Sequence, residues 1–324
     1  MGRTGFLSFA NRRRGARGGF LPLLVLLLLL PACGGGDAPA RAAAAPPADS
    51  AVTLVDDAGR TVRLPRPARR VVSLIPSATE VLLALGAGDR LVGRTDFDHG
   101  PGVDSLPSVG GGMTPSIEAV AALRPDQVLG WETKGDQSTR RRLEELGIPV
   151  FAVEVDDTVG VFRTVASLGR LTGRAPAADS LAAGLRRELA EVRASVAGRP
   201  RPTVFFLVWN DPPMTAGAET FISQVLGVAG GRNVFADVAG EWPNVALEEI
   251  VRRQPDFVVL PLGEKGGAHD VDRLRGSPGW RELRAMREGR IVTIDSELMN
   301  RPGPRLGEAA RTLRDRLHPD AAPR

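Results

Sequence analysis

The chain has 324 residues, enough for two ordinary domains together with a leader and a linker. Hydrophobic residues make up 43% and charged residues 25%, a balance that excludes an intrinsically disordered chain. The formal charge of +4 depends on residues 1–32, which hold Arg3, Arg12, Arg13, Arg14 and Arg17 and no acid. The remainder carries 37 basic against 38 acidic side chains, so it lacks the electrostatic footprint of a DNA- or RNA-binding protein.

Residues 1–33 form a targeting signal: arginines, then the apolar run Phe20–Leu30, then Leu30-Pro31-Ala32-Cys33. The run of 11 residues is too short to cross a bilayer, which takes about 20. Cys33 is the single cysteine and has no partner in the chain for a disulfide. The stretch resembles a bacterial lipoprotein signal, with Pro31 where a small residue is commoner. That resemblance implies export to the periplasm or cell surface and a lipid anchor on Cys33. An ordinary signal peptide with an incidental cysteine is the plainer alternative. Residues 34–50 are glycine-, alanine- and proline-rich, cannot bury enough apolar area to fold, and are expected to act as a flexible tether.

Residues 51–157 are expected to form a first α/β lobe. Val52 and Leu54, then Val62 and Leu64, alternate with polar neighbours around the turn Asp56-Asp57-Ala58-Gly59, which predicts a β-hairpin. Val71–Leu74 predicts a buried strand. Ser77 and Glu80 have the spacing of a capping box, ahead of a helix through Val81, Leu82 and Leu85 that Gly86 or Gly88 can end. Leu91–Gly93, Val128–Leu129 and Pro149–Phe151 continue the alternation of strand and helix, the pattern of a mostly parallel sheet covered by helices.

Residues 158–199 predict a connecting helical region. Leu181, Leu185, Leu189, Val192 and Val196 form one apolar stripe, and Gly198 and Pro200 stop it. From Ala177 to Val196 such a helix spans ~30 Å at 1.5 Å per residue, enough to bridge two lobes. Residues 200–324 then restart the α/β rhythm at Thr203–Val208. The restart is a repeat: Glu118 to Leu129 matches Glu248 to Leu260, each a helix, a Pro-Asp turn and an apolar strand, displaced by 130 residues. A period that long is not a solenoid unit and fits two similar lobes.

Three stretches, Val71-Val72-Ser73-Leu74-Ile75-Pro76-Ser77-Ala78-Thr79-Glu80, Thr114-Pro115-Ser116-Ile117-Glu118 and Leu123-Arg124-Pro125-Asp126, resemble the N-terminal lobe of periplasmic cobalamin- and ferric-siderophore-binding proteins of ABC importers. Asn210–Gly217, Gly230-Gly231-Arg232-Asn233 and Trp242-Pro243 resemble their C-terminal lobe, and Asn210–Gly217 is more similar to the cobalamin branch. The likeness runs from about Val52 to Pro319. It implies an α/β fold of two Rossmann-like lobes with mostly parallel sheets, joined by one long α-helix, with the ligand in the cleft between them. It also implies a monomeric carrier that is no enzyme and needs no cofactor. Such a carrier delivers a corrinoid, with cobalamin the expected guest, to a permease and its ATPase subunits.

The chain contains no tyrosine, so no phenolate is available to ferric iron or haem. His99, His269 and His318 are far apart in sequence and make a three-histidine zinc cage an improbable design; no metal site is expected. A corrinoid asks instead for a broad apolar cleft with flat aromatic walls and a few polar contacts. Trp131 and Trp209 follow predicted strands, where ligands collect in open α/β sheets, and Trp242 precedes the second repeat helix. By resemblance, Trp131 and Trp242 fall where cobalamin binders place tryptophans against the ligand; packing within the lobes is the plainer role for all three. Phe97, Asp98 and His99 occupy a loop that the resemblance turns toward the cleft, His99 being a candidate contact for cobalt or a rim amide, or simply a solvated histidine. Met214 matches a cleft position or packs in the core, and Glu297 and Arg301 match late polar contacts, with glutamate where relatives have aspartate. Gly110-Gly111-Gly112 stand where some cobalamin binders have a further tryptophan, so one aromatic wall is expected to be missing.

Glu118 and Glu248 each fall near the start of an equivalent helix. The helix dipole alone favours a carboxylate there by ~0.3–1 kcal/mol. Relatives use such a pair to dock onto permease arginines, and the resemblance carries that role to both. Within the same class the alternative guest is a ferric siderophore, whose charge calls for several arginines in the cleft. An exported enzyme on this scaffold has little support, since no Gly-x-Ser-x-Gly elbow and no His-Glu-x-x-His occurs. A purely structural surface lipoprotein leaves tryptophans at strand ends unexplained.

Overall fold

The computed structural model describes residues 50–132, 137–262 and 271–321. The leader, Cys33, the tether up to residue 49 and His269 lie outside the described residues.

The chain opens with the expected hairpin, β1 (Val52–Val55) and β2 (Thr61–Leu64), paired antiparallel with Val52 opposite Leu64. The first lobe follows: β3 (Val71–Ser73), α1 (Pro76–Ala84), β4 (Leu91–Gly93), α2 (Ile117–Ala122), β5 (Gln127–Trp131), α3 (Ser138–Glu145) and β6 (Val150–Val153). Its four strands run parallel in the order β4-β3-β5-β6. Two helices come next, α4 (Thr158–Leu171) and α5 (Ala175–Ser195).

The second lobe comprises β7 (Thr203–Phe206), the short hairpin β8 (Trp209–Asn210) and β9 (Pro213–Met214), α6 (Phe221–Val228), β10 (Arg232–Asn233), α7 (Leu247–Arg253) and β11 (Phe257–Leu262). After them come α8 (Val271–Gly276), α9 (Arg284–Arg287), β12 (Ile291–Asp295), α10 (Ser296–Asn300) and α11 (Leu306–Leu317). Its sheet is again four parallel strands, in the order β10-β7-β11-β12. The two orders are the same permutation: the first strand of each lobe lies inside, the next joins one side of it and the remaining two the other side.

The repeat seen in the sequence is therefore a repeat of topology, and it extends to the turn that feeds each third strand. Arg124 and Gln254, each just before the Pro-Asp pair, are the described non-glycine residues with positive φ, at 46° and 42°. The aspartate that follows clamps the start of the neighbouring strand. Asp126 accepts from the Arg70 N–H at 2.9 Å, and Asp256 accepts from the Thr203 N–H at 2.9 Å and its hydroxyl at 2.7 Å.

Two details depart from the sequence expectations. Helix α1 begins two residues early, with Pro76 rather than Ala78 at its first position and no side-chain cap. Proline is preorganised for that position and has no N–H to be capped, so Ser77 is released into the buried face and no capping box forms. The helical region after residue 158 is two helices, broken at Thr172–Arg174, where Gly173 adopts φ +71°. The second alone, α5, is the long connector; its 21 residues span ~31 Å.

Strand residues alternate between two buried faces, as parallel strands covered on both sides require. Along β7 and just beyond, Val204 and Phe206 join the inner cluster, Phe205 and Leu207 the outer one. The outer face of the second lobe is sealed by aromatic rings, Phe205 lying 5.6 Å from Phe235 and 6.0 Å from the buried Trp280. The inner cluster is continuous through both lobes. It runs from Val71 and Leu129 through Leu168 and Leu171, along Leu185, Leu189 and Val192 of α5, to Leu313 and Leu317 of α11.

Candidate functional site

In open α/β sheets a crevice forms beyond the carboxyl ends of the strands, where the strand order reverses direction. In the first lobe that point lies between β3 and β5. The chain leaving β3 turns into Pro76 and Ser77, and β5 ends at Trp131. The loop after β4, on the other side of β3, carries Phe97. In the second lobe β12 ends at Asp295, whose carboxylate accepts from the Glu297 N–H at 2.7 Å and so starts α10 directly at the strand's end. Helix α10 carries Ser296, Glu297 and Asn300, with Arg301 at its C-terminus.

These two groups meet in one open pocket of about 250 Å³, lined by Pro76, Ser77, Phe97 and Trp131 from the first lobe and Ser296, Glu297, Asn300 and Arg301 from the second. Four residues singled out in the sequence, Phe97, Trp131, Glu297 and Arg301, are thus brought together although they come from opposite ends of the chain. Phe97 is 60% exposed, an apolar ring held in water at the pocket's edge. Its loop is stiffened from beneath. The buried Asp98 carboxylate accepts from the Thr95 N–H at 2.8 Å and the Thr95 hydroxyl at 2.6 Å, while Arg94 donates to the carbonyls of Thr95 and Asp98. Asp98 is therefore occupied in holding the loop that presents Phe97. His99, next along, is exposed and is not among the pocket-lining residues.

The glycine triplet lies beside Trp131. A Cβ on Gly112 would stand 2.2 Å from the Leu74 carbonyl oxygen and 3.6 Å from Trp131 Nε1, so no side chain fits there without moving backbone. Gly112 and Trp131 also line a second, smaller hollow of about 60 Å³ on the flank of the lobe, with Leu74 and Met113. The indole thus borders two spaces, and the wall opposite its edge is bare backbone.

The charge at the mouth is arranged across the cleft. Arg301 Nη1 donates to Glu80 Oε1 at 3.1 Å, and Nη2 donates to Glu297 Oε1 at 2.5 Å and to the Phe97 carbonyl at 2.6 Å. Arg305 reaches the same Glu80 carboxylate, Nη2 to Oε1 and Nε to Oε2, both at 3.3 Å. Among the described residues Arg301 is the sole cation lining this pocket, and two carboxylates balance it. The sequence around Glu80 has the pattern of a helix cap and that around Arg305 carries no signal, because contacts between residues 221 and 225 positions apart leave no local pattern. Pro76 and Ser77 were readable in principle, since they stand at the carboxyl end of the first strand of the lobe.

The remaining candidates gather elsewhere in the second lobe. Trp209 opposes Met214 across the β8–β9 hairpin, and its Nε1 donates to the Asp211 carbonyl at 2.9 Å. Met214 bridges to Asn244, and the adjoining Thr215 N–H donates to the Pro243 carbonyl, which draws the Trp242 loop against the hairpin. Trp209 is 51% and Trp242 37% exposed. The hairpin leaves the carboxyl end of β7, the same edge of the sheet from which α10 leaves β12, but none of the three residues lines the pocket of Arg301.

Glu118 and Glu248 lie in the first turns of α2 and α7 and are both exposed. Ser116 caps α2, its hydroxyl accepting from the Ala119 N–H at 3.1 Å and touching Glu118 Oε2 at 3.3 Å. On α7 the two arginines are taken by Glu249, whose carboxyl they hold at about 2, Arg252 first and then Arg253. Among the described residues neither Glu118 nor Glu248 is in an ion pair. No described helix is long and apolar enough to cross a membrane, and no described group of three or more His, Cys, Asp or Glu could hold a metal ion.

Comparison with known proteins bears on this arrangement. A family model described as periplasmic binding protein matches residues 71–298. An uncharacterised ABC transporter substrate-binding lipoprotein of Bacillus subtilis is 31% identical over 276 residues, covering 83% of this chain and 86% of its own. A cobalamin-binding protein of Halobacterium salinarum is 32% identical over 276 residues, covering 82% and 74%. Among solved structures, a periplasmic haem-binding protein from Pseudomonas aeruginosa superposes with a TM-score of 0.70 at 28% identity, covering 79% of this chain and 95% of that one.

Proposed function

The chain belongs to the periplasmic binding protein family, and from that premise we propose that this substrate-binding component of an ABC importer captures a corrinoid, cobalamin being the expected guest. The observation that carries the choice of guest is the neutrality of the interlobe pocket. Its one lining arginine is engaged by Glu80 and Glu297, while Phe97 and Trp131 offer aromatic faces. Placing an anionic group beside a balanced ion pair costs desolvation without a free countercharge. A ferric siderophore rich in carboxylates, or the propionates of a haem, would ask for uncompensated arginines. A flat ring rimmed by uncharged amides asks for aromatic surface and a few hydrogen bonds. The absence of tyrosine adds to this, because it removes the phenolate ligand for ferric iron. The pocket of about 250 Å³ seats one edge of so large a ring, the rest extending from its mouth.

The same reading tethers the protein to the membrane through a lipid on Cys33. In support of it, the single cysteine follows an apolar run, and the Bacillus subtilis relative is itself described as a lipoprotein. Glu118 and Glu248 then serve as docking carboxylates for a permease and its ATPase subunits. Both are exposed and carry uncompensated charge, one on each of two topologically equivalent lobes.

The test is equilibrium titration of the purified protein with cyanocobalamin, haem and a carboxylate-rich ferric siderophore, followed by tryptophan fluorescence. Cyanocobalamin is expected to quench saturably at micromolar concentration or below, and the other two to quench at least about tenfold more weakly, a difference of about 1.4 kcal/mol. Saturable quenching by haem or the siderophore alone would transfer the assignment to that guest.

A further inference from the structure

We propose that Glu80 is a positioning residue that acts as an ionic latch across the cleft and, through Arg301, sets which guest charges the site accepts. Glu80 belongs to α1 of the first lobe, and Arg301 and Arg305 to the segment between α10 and α11 of the second. One carboxylate therefore receives both arginines, at 3.1 and 3.3 Å, with side-chain exposures of 18% for Glu80, 13% for Arg301 and 34% for Arg305. Ion pairs this sheltered are screened far less than surface pairs and hold a defined geometry. The Phe97 carbonyl, also from the first lobe, accepts from Arg301 at 2.6 Å, so the guanidinium is pinned to that lobe at two points while its backbone belongs to the other.

The consequence for recognition follows from donor accounting. The contacts of Arg301 use one hydrogen on Nη1 and both on Nη2, which leaves the Nε hydrogen and one on Nη1 for a guest. Arg301 can thus hydrogen-bond an uncharged amide or carbonyl while its charge stays neutralised. Without Glu80, Arg301 would keep Glu297 but Arg305 would lose its carboxylate partner, the cleft would become net positive by one charge, and carboxylate-bearing guests would gain relative to amide-bearing ones. Loss of the latch would leave Arg301 held to the first lobe by the Phe97 carbonyl alone, loosening the Phe97 loop against α10.

Two measurements on the full chain test this, using the natural protein, Glu80→Gln and Glu80→Asp. The first is the ratio of affinities for cyanocobalamin and for cobyrinic acid, which carries carboxylates in place of the amides on the same ring; this arm rests on the corrinoid reading. Glu80→Gln should lower that ratio at least about fivefold by strengthening the acid, with Glu80→Asp between the two. A purely structural defect would weaken both guests alike and leave the ratio unchanged, which would overturn the proposal. The second needs no guest: hydrogen exchange of the amides in residues 95–99 and 297–305 should quicken at least about fivefold in Glu80→Gln. Unaltered exchange there would remove the latch. If the natural chain binds neither corrinoid, the proposed guest fails while the exchange measurement still decides the latch. Should Glu80→Gln not fold, Glu80→Asp, which withdraws the carboxylate by one methylene, carries both readings at smaller size.

Discussion

Trp131 does two jobs in one position. Its backbone closes β5, paired with Val153 of β6, and its indole stands at the boundary between the interlobe pocket and the hollow beside Gly112. Replacing it with alanine removes a flat apolar face and leaves the strand ladder in place. Trp131→Ala should therefore weaken corrinoid binding about ten- to a hundredfold, about 1.4–2.8 kcal/mol, with little change in folding cooperativity. Titration of the variant with cyanocobalamin measures the first, and denaturant unfolding the second; unchanged affinity would move the guest away from this pocket. The residue scale is also where sequence reading was most uneven. Trp131 was readable because it stands at the end of a strand, whereas Phe97, Glu297 and Arg301 were carried by the family resemblance. Trp209 was read in the same way, Met214 and Trp242 by resemblance, and the three cluster apart from that pocket. Glu80 was hidden because its partners lie more than two hundred residues away, and its local pattern imitated a helix cap.

At the scale of elements, α2 and α7 repay comparison. Each is a short helix leading through a Pro-Asp turn into the third strand of its sheet, and each presents a glutamate in its first turn. Their capping differs. Ser116 caps α2, whereas α7 has no side-chain cap and holds its last turn through Glu249, Arg252 and Arg253. Equivalent placement with different local bonding sets Glu118 and Glu248 apart from their neighbours. If they dock a permease, Glu118→Lys with Glu248→Lys should cut guest uptake by at least about tenfold while leaving guest affinity within about twofold, since neither lines the pocket. Uptake by cells carrying the double variant, set beside its titration curve, checks both halves; wild-type uptake would end the docking role. The repeat behind this comparison was fully legible in the sequence, because a Pro-Asp turn before an apolar run is a local signal. The break at Gly173 was less so. Helical periodicity continues in register across it, and the positive φ that ends α4 is a property of backbone geometry.

For the whole molecule, the governing feature is a core that does not stop at the lobe boundary. Leu185, Leu189 and Val192 of α5 pack into one apolar cluster with residues of both sheets and with α11. Further ties join α5 and the start of α4 to the second lobe: Arg311 to Glu188 at 2.9 Å, the Phe221 N–H to the Asp156 carbonyl at 2.7 Å, and the Thr158 hydroxyl to Gln224 at 2.6 Å. Close-packed interiors resist shear, so the lobes should keep their spacing when a guest enters, with changes confined to loops such as that of Phe97. The most direct test is a crystal structure of the protein with cyanocobalamin. The ring is expected to lie between the lobes against Trp131 and Phe97, with an amide on Arg301 and the inter-sheet geometry unchanged. A corrinoid bound outside the interlobe pocket, or a cleft that admits the ring only after the lobes have swung widely apart, would contradict it.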